Sequence, residues 1–207
     1  MAQTEQKNQN VKKQFEELQS LLERAMALQT SMVLFEWDDE TLAPKGAAEH
    51  TARVIGSLSE QYQEILASMR FKELLDACQK AEKENAGVFD EVQSAILREA
   101  AEEQERLSCI PPEEYRAYAE LTARATGIWT RAREKNDFAS FAPVLKEIIS
   151  YQKKFAAYRA KPGQKLYDVM LDTYEKGFNM EMLDPFFELM KGKIVPLLKE
   201  SAERSKT

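Results

Sequence analysis

From Val11 onward the apolar residues Val11, Phe15, Leu18, Leu22, Ala25, Leu28, Met32 and Phe35 recur at intervals of three and four. That spacing puts them on one face of a helix, so the chain must open with a long amphipathic helix that runs about 40 Å at ~1.5 Å per residue. Asp38 and Asp39 are expected to interrupt it, and Pro44 followed by Gly46 marks a turn before the next start. The polar opening, residues 1–10, reads as a flexible N-terminus ahead of a helical region covering 11–207.

The same period continues. A second helix carries Ala48, Ala52, Ile55, Leu58, Tyr62, Leu66 and Met69 on one side, with His50 off that stripe. A short third segment, Phe71, Leu74, Leu75 and Cys78, is expected to dissolve into the charged run 80–85, with Gly87 as a break. Val88, Val92, Ala95, Ile96 and Glu99 then start a further helix, which Pro111 and Pro112 close. Glu113 and Glu114 supply the acidic first turn that the next helix dipole favours. That helix shows Tyr115, Tyr118, Leu121, Ala125, Ile128, Trp129 and Ala132. Asn136 and Asp137 can cap its successor, whose buried face reads Phe141, Leu145, Ile148, Gln152 and Phe155 up to Pro162 and Gly163. Leu166 to Tyr174 is a short helix ended at Gly177. Asn179 can cap a last one bearing Leu183, Phe186, Phe187, Met190, Ile194 and Leu197, which Pro196 is predicted to bend or disrupt. Strand alternation persists nowhere. The fold class is therefore all-α, with roughly seven to nine long helices in antiparallel hairpins.

Composition narrows the function classes. Seven glycines, seven prolines and 31% charged residues in a 207-residue chain fit an ordered helical protein better than a disordered one. The formal net charge of −6, with basic residues interspersed among acids, offers no clustered face for phosphates, so no nucleic-acid partner is expected. Cys78 and Cys109 form no Cys-x-x-Cys pair, and neither a signal peptide nor a long apolar stretch is present, which points to the cytoplasm and to no membrane partner.

Candidate chemistry is sparse. His50 is the sole histidine, so a two-histidine zinc site cannot be built, and a solvated surface role is the expectation for it. Glu36, Asp38, Asp39 and Glu40 crowd one helix end, but the spacing lacks the glycine and distal glutamate of a calcium loop, so capping and solvation are expected. Trp37 and Trp129 read as packing or hinge residues. No Gly-x-Ser-x-Gly elbow, local cysteine–histidine pair or phosphate-binding glycine loop is present.

Three segments nonetheless share a likeness. Trp37-Asp38, Thr41, Pro44, Gly46-Ala47-Ala48 and Arg53 form the first. Trp129, Ala132-Arg133, Asn136-Asp137-Phe138, Phe141-Ala142-Pro143 and Leu145 form the second. The third is Leu166 to Asp172 with Tyr174-Glu175, Gly177, Leu183, Phe187, Leu189 and Pro196-Leu197-Leu198. In order and spacing they resemble the N-terminal portion of the M32 metallocarboxypeptidases, the carboxypeptidase Taq-like group. The resemblance implies an all-helical, cytoplasmic enzyme, usually a homodimer, that removes C-terminal residues from peptide substrates and generally spares proline. It implies zinc or cobalt held by a His-Glu-x-x-His helix and a downstream glutamate, at the floor of a groove of which these helices form one wall.

None of that machinery is in the sequence: His-Glu-x-x-His, Asp-x-Arg-x-Thr and His-Pro-Phe are all missing. No catalytic, cofactor-binding or metal-ligating residue is therefore assigned to this chain, and no cofactor is expected in it. Trp37, Asp38, Thr41 and Arg53 are expected only to shape the turn between two long helices. The chain is expected to be a truncated N-terminal part, inactive alone, with a non-catalytic helical scaffold or interaction module as the alternative. Its last helix, around Phe186, Phe187 and Ile194, is expected to expose an apolar face through which copies associate.

Overall fold

Each of the turn signals at Pro44, Pro111 and Gly163 falls between two helices in the computed structural model, which describes residues 2–44 and 46–205. Those residues form eight α-helices and no strand: α1 Ala2–Thr41, α2 Ala48–Ala67, α3 Met69–Glu84, α4 Glu91–Ser108, α5 Pro112–Glu134, α6 Phe138–Arg159, α7 Leu166–Tyr174 and α8 Met180–Arg204. The all-α class stands. The chain divides into two compact units, Met1–Tyr151 and Gln152–Thr207, with α6 beginning in the first and continuing into the second.

In the first unit the apolar stripe of α1 is buried at Val11, Phe15, Leu18 and Ala25. It packs with Phe71, Leu74, Leu75 and Cys78 of α3 and with Leu97, Ala100 and Leu107 of α4. Toward its end the stripe surfaces, so that Val33, Leu34, Phe35 and Trp37 are exposed. The acids do not interrupt α1 as the sequence suggested. Helix continues through Asp38 and Asp39, because two exposed or half-exposed acids lower helix propensity only slightly, whereas Pro44 cannot continue it. The Asp38 carbonyl accepts from both Leu42 (2.9 Å) and Ala43 (2.8 Å) and closes the last turn.

α2 runs antiparallel to α5. Glu60 pairs with Arg116, Gly56 lies against Glu120 and Glu49 pairs with Arg124, so descending numbers on one helix meet ascending numbers on the other. Between α2 and α3 a single residue turns the chain: Ser68, extended at ψ 147, donates its hydroxyl to Ile65 O (2.8 Å) and accepts from Phe71 N (3.1 Å). This joint moves Met69 off the second stripe, where periodicity alone placed it, and leaves it exposed in the first turn of α3.

Two further expectations change. α3 does not dissolve at Lys80 but stays helical to Glu84, since Cys78 and Ala81 keep the stripe buried and lysine and glutamate are good helix formers. α4 is phased differently from the predicted Val88, Val92, Ala95, Ile96 and Glu99. Asp90 and Gln93 form a capping box, with Gln93 N donating to Asp90 Oδ1 (2.8 Å) and Asp90 N to Gln93 Oε1 (3.1 Å). The cap starts the helix after Val88 and Phe89, which tuck into the core as loop residues, Phe89 5.1 Å from the Phe15 ring; Val92 and Glu99 then face solvent.

In the second unit, α7 and α8 are joined by side-chain caps. Asn179 Oδ1 accepts from Met182 N (3.0 Å), Asp168 Oδ1 from Met180 N (2.9 Å) and Asp172 Oδ1 from Gly177 N (2.8 Å), while Gly177 takes the left-handed φ of 81° that a side chain would resist. Pro196 does not disrupt α8, which is continuous to Arg204. Pro196 has no amide hydrogen to give the Gly192 carbonyl one turn back, in a helix with no buried residue. The apolar exposure expected of this last helix is present: Phe186, Phe187 and Ile194 are each at least 39% exposed.

Candidate functional site

The first signature segment is a helix-end turn. Thr41 Oγ1 donates to the Trp37 carbonyl (2.5 Å), Ala47 N to Pro44 O (2.8 Å) and His50 N to Ala47 O (2.9 Å), so these residues build the passage from α1 to α2 largely with backbone bonds. His50 and Arg53 point to solvent from the first turns of α2, as a surface histidine should. Trp37 is 56% exposed, so of the two uses expected for it, packing or hinge, it does not take the first. The reason lies in α1, whose last buried residue, Ala25, lies about three turns earlier.

The acidic residues nearby do not converge. Burial and the neighbouring Glu40 charge raise the Glu36 carboxyl above its ordinary range. Among the described residues no three His, Cys, Asp or Glu side chains form a group that could hold a metal ion. Cys78 is a free thiol whose burial in the core pushes its pKa up to about 11, so it is neither a ready nucleophile nor a ligand at neutral pH.

The second segment is also a helix junction. Asp137 Oδ1 accepts from Ser140 N (3.2 Å) and caps α6, as the sequence indicated, after Asn136 turns the chain through φ 52°. Trp129 is 44% exposed, with the Arg133 guanidinium 5.2 Å from its ring centroid.

Periodicity did not reveal the polar seam that borders the apolar stripe of α2. Gly56, Ser59 and Gln63 are buried there. Arg116 of α5 donates Nη1 to Glu60 Oε2 (2.9 Å) and Nε to Glu120 Oε1 (3.0 Å), and Glu120 lies directly over Gly56. A Cβ at Gly56 would sit 2.2 Å from Glu120 Cγ. We expect Gly56→Val to lose about 1–3 kcal/mol by overpacking, and Glu120→Ala to restore part of it in the double variant, as thermal unfolding would register; no rescue would mean that Glu120 is not what Gly56 accommodates.

Two turns beyond Gly56, Gln63 Nε2 donates to Leu107 O (3.1 Å) and Ile110 O (2.6 Å), tying α2 to the C-terminal end of α4, while its Oε1 has no partner among the described residues. Beside it Tyr62 donates to Glu103 Oε1 (3.0 Å), and Arg106 Nε to Glu103 Oε2 (2.8 Å). Burial and the Glu103 charge push the Tyr62 phenol well above its usual range, so it keeps the proton that it donates to Glu103. These side chains brace helices. The only hint in the sequence was the Arg116–Glu120 spacing of four, which many exposed helices share.

Comparison with known proteins places these features. Residues 17–207 match the family model for the carboxypeptidase Taq (M32) metallopeptidases. Carboxypeptidase 1 of Bacillus subtilis is 34% identical over 180 residues, covering 87% of this chain and 35% of that protein. Thermostable carboxypeptidase 1 of Pyrococcus furiosus is 31% identical over 183 residues, covering 88% and 36%. The crystal structure named BsuCP superposes with a TM-score of 0.84 at 33% identity, over 91% of this chain and 37% of that one. The chain thus spans little more than a third of the length of the relatives it matches.

Proposed function

Because the chain belongs to the carboxypeptidase Taq (M32) metallopeptidase family, we propose that it supplies the N-terminal helical part of a metal-dependent carboxypeptidase that hydrolyses C-terminal residues from peptides. On this reading α1 to α5 belong to one wall of a substrate groove. The observation that carries it is the pairing of close structural likeness over 91% of the chain with only 37% of the relative's length. Zinc or cobalt, which such an enzyme would use, does not fit the residues present: His50 is the sole histidine, it is exposed, and the described residues offer no metal-holding group. No step of hydrolysis is therefore assigned to any side chain here. The braces around Arg116, Gln63 and Glu103 serve instead to hold α2, α4 and α5 in fixed register, which a groove wall requires.

The two cysteines form no Cys-x-x-Cys pair, which supports a cytoplasmic setting, and no described helix is long and apolar enough to cross a membrane. A homodimer of the complete enzyme belongs to the same reading. The 207-residue chain alone, given zinc or cobalt, should release no C-terminal amino acid from peptides above a blank. Robust turnover abolished by a chelator would sink the proposal that this part is catalytically incomplete.

A further inference from the structure

Hydroxyls within these helices commonly turn back on their own backbone. Thr30, Ser31, Thr41, Thr122, Thr130 and Ser150 each donate to the carbonyl four residues earlier. Ser59, in the middle of α2, behaves differently: its hydroxyl crosses to α1 and donates to the thioether sulfur of Met32 at 3.0 Å. A thioether is a weak acceptor, and Ser59 is only 5% exposed, so this contact holds where bulk water competes little for the proton. Met32 is half-buried. Because Ser59 stands on its buried side, the exposed part of Met32 lies on the side away from the hydroxyl.

A thioether sulfur carries two lone pairs, and oxidation at one or the other gives sulfoxides of opposite hand. The lone pair that accepts from Ser59 has the hydroxyl in front of it and its density drawn toward a proton. The other is free. Exposed methionines such as Met26, at 63%, and Met69, at 73%, rotate in water and offer both lone pairs alike.

We propose that Met32 is a stereospecific oxidation site, at which a peroxide attacks the lone pair not engaged by Ser59 and yields one sulfoxide epimer. The sulfur gives that electron pair to one peroxide oxygen as the O–O bond breaks. The second oxygen leaves as hydroxide and takes up the remaining proton to become water. Sulfur loses two electrons and the peroxide gains them. Since each methionine sulfoxide reductase acts on one epimer, one of the two reductases reverses the change and the other does not. Met32 thereby carries a reversible polar group at the contact between α1 and α2.

The test treats the folded 207-residue chain with hydrogen peroxide, digests it, and exposes the peptides separately to the two epimer-specific reductases, with mass spectrometry as the readout. Met32 should oxidise more slowly than Met26 and Met69, and one reductase should restore about five times as much of it as the other or more. Met26 and Met69 should be restored equally by both. Ser59→Ala, with unaltered circular dichroism, should bring the two epimers of Met32 near parity. The native chain oxidised in urea should do the same, which keeps the comparison available without a variant. Equal recovery of Met32 by both reductases in the folded chain would overturn the proposal. So would a Met32 that stays reduced while Met26 and Met69 are fully oxidised, or a bias that persists in Ser59→Ala or in urea.

Discussion

Gln63→Glu should destabilise the fold by about 3–5 kcal/mol at neutral pH and recover much of that loss in acid. The native amide is fully buried and gives both hydrogens to the carbonyls of Leu107 and Ile110. A carboxylate there would face two acceptors with nothing to donate, in a place from which water is excluded. Burial and the two carbonyls must then raise the folded-state pKa of the new side chain above the ordinary glutamate value of about 4.3. The sign follows: a carboxyl with a raised native pKa is tolerated below its unfolded value, and the protein loses stability as pH rises through the interval up to the native one. Urea unfolding at pH 4 and pH 7 would show the gap narrowing in acid, and Gln63→Leu, which removes the donors without adding charge, should show a loss that does not vary with pH. Equal losses for Gln63→Glu at both pH values would mean that water reaches the site.

Phe71→Ala should have an effect of similar size, about 3–5 kcal/mol, for a different reason. Phe71 is completely buried between α1, α3 and α4, and its own amide is held by the Ser68 hydroxyl at 3.1 Å. With the backbone fixed at that joint, α3 cannot slide inward to fill the space, so the cavity persists. Met69, two residues earlier and 73% exposed, provides the contrast, and Met69→Ala should change stability by no more than about 0.5 kcal/mol. A small effect at Phe71 in urea unfolding would show that the α1–α3–α4 core collapses around the gap.

Helix number, most helix starts and the main core were legible because they depend on apolar period, prolines and polar caps. Asp137 and Asn179 cap the helices that their positions suggested. What escaped has two physical origins. The inner side of α2 is lined by Gly56, Ser59 and Gln63, and an apolar pattern cannot register a seam made of a missing side chain, a hydroxyl and an amide. The phase of α4 depends on which residue caps it, and the Asp90–Gln93 box overrode the stripe that started at Val88. The signature residues Trp37, Asp38, Thr41 and Arg53 were expected to shape the turn between two long helices: Thr41 and the Asp38 carbonyl close α1 there, while Trp37 and Arg53 face outward.

The close approach at Gly56 also has a mechanical side. Where two helices are spaced by long apolar side chains, small displacements of one are absorbed by rotamer changes. At Gly56 the α2 backbone itself meets the Glu120 side chain, and Glu120 is pinned through Arg116 to Glu60 one turn further along α2. Little compliance is left at that crossing. A push on α5 therefore moves α2 with it, and the pair behaves as a stiff beam.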